Sequence, residues 1–318
     1  MSIDRVATNA QSQYLLQQIT QANKALDLSQ TQVSSGKVAD DYAGIGDKTA
    51  ALEAARAAAA RASSYQSNTQ LALTQTDLQD TQLTSLSGLA SQLQKAIQTA
   101  AGNSDGTNLV DTANSIFQQA SAILNSTDAN GNYIYGGQKT NAAPFTATDL
   151  GYMSTHGAVS DYFVNGDIKK TVQVGDGQTQ QIGVLASDVG EQLMQALKDL
   201  YVADGNGTGA LAGQLSSTQV DSLTAAALPD ATAAVTSLNA ATAANGNAYN
   251  SLNDTVTQQQ SVSNLYQGFV SDIEDVDMAQ ALTKLNANQV ALQAALTVTA
   301  RLGQLSLLNY LPTMTSSG

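Results

Sequence analysis

The chain has 318 residues, 42 % hydrophobic but only 5 % aromatic, with no Trp and no Cys, and a formal net charge of −13. No cluster of Lys and Arg offsets that charge, which excludes the basic footprint of nucleic-acid binding and disfavours anionic membrane surfaces. The absence of Cys excludes disulfides, thiolate zinc sites and thiol nucleophiles, and suits a chain that crosses an export channel unfolded. The first residues lack a basic segment followed by an apolar core, so no cleaved secretory leader is expected. No window approaches the ~20 apolar residues of a bilayer span.

Taken in order, Ile3, Val6, Ala10, Leu15, Ile19, Ala22, Leu26 and Val33 step mostly by three and four, which predicts a helix with a heptad-like seam. Ser34-Ser35-Gly36-Lys37 ends it, with Gly36 just past the last turn. Residues 40–46 read as a turn. A long Ala-rich helix follows from Lys48, its apolar positions running through Leu71, Leu78, Leu86, Ala90, Leu93 and Ile97. A loop at 102–107 precedes a helix at Leu109–Leu124 that turns Val110, Ala113, Phe117, Ala120 and Leu124 inward.

The texture changes near Asp128. Turn residues, tyrosines and alternating stretches over 133–186 predict a β-rich insert, with Asn165-Gly166 and Asp176-Gly177 as hairpin turns. Helical pattern returns at Val189–Tyr201, and after a Gly-rich loop again at Ser217–Leu228 and from Asp230 to Gly268. Pro229 marks a start or kink.

The last stretch, Ser271–Leu311, reads as one helix opened by a capping box of Ser271 and Glu274, with Asp272, Asp275 and Asp277 in its first turns. Met278, Leu282, Leu285, Leu292 and Leu296 share one face, and Val298, Leu302, Leu305 and Leu308 lie on roughly the opposite one. About forty residues at ~1.5 Å each would reach ~60 Å, longer than a small domain needs. The polar side carries almost no charge, and a rotating apolar stripe needs partners on more than one side.

The expected fold is therefore mainly α with a small β insert. Its N- and C-terminal regions pair as a long antiparallel coiled coil, which puts the β-rich part at one tip. The expected divisions are 1–37 and 271–318 as assembly helices (with 271–311 in the terminal coiled coil), 38–132 and 187–270 as two parts of a helical bundle, and 133–186 as the insert. Leu15, Ile19, Leu26, Leu282, Leu285, Leu292, Leu296, Leu302 and Leu305 are the expected assembly interface.

Chemistry-bearing patterns fail on inspection. The loops at Asp128 and Asp204 lack the Gly at position six or the acid at position twelve of a calcium loop. Gly44-Ile45-Gly46-Asp47-Lys48-Thr49 has Asp47 where a phosphate loop needs Gly. His156 is the single histidine, and no nucleophile elbow accompanies it. No catalytic, cofactor or metal residue is expected, and no enzymatic activity.

Three stretches carry a resemblance. Ser35, Gly36 and Lys37 followed by Asp40, Asp41 and Gly44 are similar to the N-terminal signature of flagellins and their junction relatives. Tyr133, Tyr135, Gly136 and Thr140, with Phe145 beyond, resemble the motif that leads into the β domain of the hook-associated protein 3 family. Asp272–Met278 and Leu285–Leu311 resemble that family's C-terminal helix. Only Val38-Ala39 separates Lys37 from Asp40, and Tyr42 stands where a Pro is usual. The resemblance implies an extracellular subunit of the flagellar hook–filament junction, exported without a cleaved signal. It implies as partners hook-associated protein 1, flagellin, copies of itself in a ring and a cytoplasmic export chaperone, with neither nucleic acid nor membrane. The alternatives are a flagellin-type filament subunit and a flagellin-like surface protein that binds polysaccharide through Tyr152, Tyr162 and Phe163 of the insert.

Overall fold

The computed structural model describes residues 2–308, with side chains from residue 10 to residue 301. The side chains of Leu302, Leu305 and Leu308, and residues 309–311, lie outside that description. The elements are α1 (Ser2–Ser35), α2 (Tyr42–Ile45), α3 (Thr49–Asn103), α4 (Leu109–Leu124), α5 (Leu150–Thr155), β1 (Thr171–Gly175), β2 (Gln178–Gln181), α6 (Ala186–Ala203), α7 (Ser217–Ser222), α8 (Leu228–Glu274) and α9 (Met278–Leu308). The protein is mainly helical, with one antiparallel hairpin, and its first and last long helices pair with each other. The chain divides into two units, residues 1–60 with 262–318, and residues 61–261.

In the second unit α3 and α8 run antiparallel. Side-chain bonds stitch them: Gln66 donates to Gln260 at 2.6 Å, Gln94 to Thr232 at 2.8 Å, and Asn245 to the carbonyl of Thr76 at 2.9 Å. The apolar core gathers Leu83, Leu86, Leu93 and Ile97 of α3, Ile116 and Phe117 of α4, Leu193 and Leu197 of α6, and Ala231 and Leu238 of α8. Amphipathic α4 and α6 each present one apolar face to this cluster, which is why they form helices short enough to be fully used. Between α7 and α8 the backbone widens into a π-turn over Leu223–Ala227. Pro229, one residue beyond Leu228, has no N–H to give, so the widening falls where the helical ladder must lose a bond anyway.

The insert holds less strand than its sequence suggests. Asp176-Gly177 makes the hairpin turn, with Gly177 at φ +66°, but Asn165-Gly166 does not turn a hairpin. Asn165 is buried instead, donating to Ser187 Oγ at 3.1 Å and accepting from the Ser187 N–H at 3.2 Å. An Asn-Gly pair is free to turn a hairpin only if its side chain is not claimed elsewhere, and here the start of α6 claims it. The hairpin's Val174 and the following Ile182 close a second small core with Ala72 and Leu73 of α3 and Leu252 of α8.

The two acidic loops hold themselves. Asp128 accepts the N–H groups of Asn130 and Asn132, each at 2.9 Å, and buried Asp204 accepts that of Leu211 at 2.8 Å. Both use carboxylate oxygens for backbone donors, as turns do. Among the described residues no acidic or histidine group is arranged to hold a metal ion.

The C-terminal region differs from expectation. Ser271 is not a cap. It lies inside α8, which continues to Glu274, and the chain breaks at residues 275–277. Ser271 Oγ donates to the Asp275 carboxylate rather than starting a helix. The true cap is Asp277, which accepts the N–H groups of Ala279 at 2.9 Å and Gln280 at 3.2 Å. The Ser-to-Glu spacing matches a capping box, but nothing upstream interrupts the ladder, so the pattern has no free N–H groups to satisfy.

One strained contact remains in the second unit. Asp199 of α6 faces Asp230 at the start of α8. Burial first, and then its bond and repulsion with Asp230, push the Asp199 carboxyl up to about 6. Because the folded state binds this proton more tightly than the unfolded chain, the contribution falls as pH rises from about 4 to about 6 and stays low above. Asp199→Asn is expected to raise Tm at pH 7.5 and to change it little at pH 4, measured by circular dichroism melts of both proteins across that range.

Candidate assembly interface

Helix α1 carries Leu15, Ile19, Ala22, Leu26, Ser29 and Val33 at intervals of four and three residues, and α9 carries Ala281, Leu285, Asn288, Leu292, Ala295 and Thr299 at the same intervals. These are the sheltered positions of the two helices, and they form a coiled-coil seam. The helices run antiparallel, since Ser29 meets Asn288 while the end of α1 meets the residues just before α9. Counting by heptads from Ser29 and Asn288 sets Val33 level with Leu285, Leu26 with Leu292, Ala22 with Ala295 and Ile19 with Thr299.

The seam has one polar layer. Asn288 Nδ2 donates to Ser29 Oγ at 2.8 Å and to the carbonyl of Ala25 at 3.0 Å. Ser29 Oγ donates to the same carbonyl at 2.9 Å. Ser29 is 4 % exposed and its neighbours in the seam are mostly half-buried, because two helices alone can cover only one face of each other.

The expected interface residues divide accordingly. Leu15, Ile19, Leu26, Leu285 and Leu292 lie along the intramolecular seam, half-buried. Leu282 and Leu296 point outward, 46 % and 50 % exposed. Tyr14, Leu16, Leu28, Val290 and Val298 are exposed as well, outside the stripe of Leu282 and Leu296. Leu302 and Leu305 have no described side chains.

The end of the seam is tied down by a bridge and an ion cluster. Val38 N–H donates to the Glu274 carbonyl at 2.7 Å, and Val276 N–H to that of Gly36 at 2.9 Å. Gly36 has φ +73°, the left-handed conformation that lets the chain leave α1 and turn into this bridge. Ser35 Oγ accepts the Lys37 N–H at 3.2 Å. The Glu274 side chain, 11 % exposed, takes Arg56 at 2.6 Å and Lys37 at 3.3 Å. Arg56 also meets Glu53 at 3.1 Å, and Tyr42 donates to Glu53 at 2.7 Å. Asp41 caps α2 by accepting the Gly44 N–H at 2.8 Å, while Asp40 stays exposed. The Arg56 hydrogen bond, ahead of the one from Lys37, holds the Glu274 carboxyl below its ordinary range. The signature at 35–41 is thus a joint: it returns the chain from α1 and fastens it to the end of α8.

The motif at 133–145 is also structural. Tyr133 N–H donates to the Thr140 carbonyl at 2.9 Å, and Lys139 N–H to that of Gly136 at 3.1 Å. A Cβ on Gly136 would stand 2.2 Å from the Lys139 carbonyl oxygen, so only glycine fits this knot. Tyr135 is fully buried, and burial raises its phenol. Asn125, just past α4, brackets Phe145 with bonds of 2.8 and 3.0 Å, and the Phe145 ring lies between Phe117 and Phe163. Of the aromatic residues available for stacking a sugar, Tyr162 is buried and Phe163 is occupied by Phe145. Tyr152 is exposed but stacks on His156 at 4.5 Å.

Comparison with known proteins places these features in a lineage. Residues 228–311 match the bacterial flagellin C-terminal helical region. Over 247 residues the chain is 30 % identical to flagellar hook-associated protein 3 of Salmonella typhimurium strain LT2, covering 72 % of this chain and 76 % of that protein. Among solved structures, a Vibrio parahaemolyticus protein described as a flagellar hook-associated protein shares the fold, with a TM-score of 0.57 at 17 % identity over 73 % of this chain and 98 % of that one.

Two outcomes follow from the geometry. Glu274 has a lowered folded-state pKa, so its contribution is present above the ordinary glutamate range near ~4.3 and is lost as pH falls through the folded value. Glu274→Gln should lower Tm at pH 7, and the difference from wild type should shrink towards pH 3. Leu285→Asp should weaken the α1–α9 pair by about 1–3 kcal/mol, whereas Leu282→Asp should stay within about 0.5 kcal/mol. Hydrogen exchange along residues 15–33 reads the contrast directly.

Proposed function

The chain belongs to the flagellar hook-associated protein 3 family, and on that premise we propose that it joins hook to filament as an adaptor between hook-associated protein 1 and flagellin. It is a structural subunit of the bacterial flagellum and not an enzyme. In this reading copies of the chain form a ring, and the terminal helices, residues 1–37 and 271–311, are the parts that neighbours complete. The two helical parts, 38–132 and 187–270, and the insert at 133–186 make up the rest of the subunit. The chain reaches the cell exterior through the flagellar export apparatus, with an export chaperone holding its C-terminal region first.

The observation that carries this reading is the unfinished seam. Leu282 and Leu296 on α9, with Tyr14, Leu16 and Leu28 on α1, leave large apolar side chains in water beside a face that is already paired. Apolar surface concentrated on one element marks an interaction site. Among the described residues no helix is long and apolar enough to cross a membrane.

Electron microscopy of a strain lacking this chain tests the proposal. Hooks without filaments, with flagellin in the medium, are expected, and normal filaments would overturn it. Complementation with Leu282→Asp plus Leu296→Asp should fail to restore filaments although the purified variant keeps wild-type helicity. The filament-subunit alternative makes a different forecast: the purified chain would grow long filaments on seeds, which an adaptor does not.

A further inference from the structure

Two faces of α9 compete for α1. One is the stripe of Met278, Leu282, Leu285, Leu292 and Leu296, the most apolar the helix has. The other keeps Leu285 and Leu292 but otherwise offers Ala281, Asn288, Ala295 and Thr299. Burial of apolar area alone would select the first. The structure uses the second: Ala281 is 1 % exposed, while Leu282 next to it is 46 % exposed.

We propose that the Ser29–Asn288 polar layer sets the rotation of α9 against α1 and thereby keeps Leu282 and Leu296 outside. Asn288 spends both amide hydrogens in the seam, on Ser29 Oγ at 2.8 Å and on the Ala25 carbonyl at 3.0 Å. Rolling α9 towards its leucine face would carry that amide out of the seam and break both bonds. A single polar residue in a heptad seam is a known device for selecting one arrangement at a cost in stability. Small residues at Ala22, Ala25 and Ala281 let the helices approach closely enough for the layer to form. The rival holder of the rotation is the bridge between Gly36–Val38 and Glu274–Val276, at the end of the seam. On the function proposed above, this rotation is what leaves the two leucines to a neighbouring copy; the rotation itself stands without that reading.

The chain has no cysteine, so a single introduced thiol reports which way α9 faces. Ala281→Cys and Leu282→Cys are compared for maleimide labelling rate in the isolated chain, each alone and each with Asn288→Leu, with helicity followed by circular dichroism. In the parent the thiol at position 282 labels fast and the one at 281 slowly. With Asn288→Leu the ratio of the two rates should fall by about tenfold, the shift that the net worth of one lost hydrogen bond corresponds to, with 281 gaining while 282 loses. Exchanging the partners, Ser29→Asn with Asn288→Ser, should restore the parent ratio. An unchanged ratio in Asn288→Leu overturns the proposal in favour of the bridge. A parallel rise of both rates, or lost helicity in Asn288→Leu and in the milder Asn288→Ser alike, overturns it too, since the layer would then hold the pair together rather than orient it. None of these outcomes depends on whether the chain enters a flagellum.

Discussion

A pair of helices can shelter only one face of each, and this constraint governs the terminal unit. Helix α1 and helix α9 spend their heptad positions on each other, and the seam they form is half-buried rather than buried. A third helix would be needed to close it, and none of the described elements of that unit lies over Leu282 or Leu296, which remain in water. The incompleteness is a direct consequence of sequence: the apolar positions of α9 wrap around the helix instead of keeping to one side. The proposed role in a ring of subunits is the natural use of a surface built this way.

The second unit obeys the opposite rule. Its helices α4 and α6 have a single apolar face each, and the core they share with α3 and α8 closes completely over Leu86, Leu93, Ile116 and Leu193. The aromatic motif at 133–145 serves that core. Tyr135 and Phe145 are interior residues, and Gly136 is there because the backbone crosses itself too closely for any side chain. Most residues of the motif at 133–145 thus close turns and fill cores. The signature at 35–41 has the same character, since Gly36 turns the chain and Lys37 helps to hold Glu274.

Much of this was legible in the order of residues. The helical stretches follow from three-and-four spacing, the exit from α1 from Gly36, and the hairpin from Asp176-Gly177. The readings that changed share one cause. Ser271 with Glu274 looks like a helix start, and Asn165-Gly166 like a hairpin. In each case a local pattern was complete, and a distant residue decided otherwise: Ser187 took the Asn165 side chain, and Gly36 and Val38 drew residues 274–276 into a bridge.

Local sequence by itself determined where helices can exist and that no thiol is present, because propensity, spacing and composition act over a few residues and need no partner. Which face of α9 is sheltered, where α8 gives way to α9, and which glycines turn the chain within the insert were decided only in the folded structure. Hydrogen bonds between distant residues, such as Asn288 to Ala25, 263 positions apart, exist only there. A bond of that kind has no trace in periodicity, since its energy depends on both ends being brought together first.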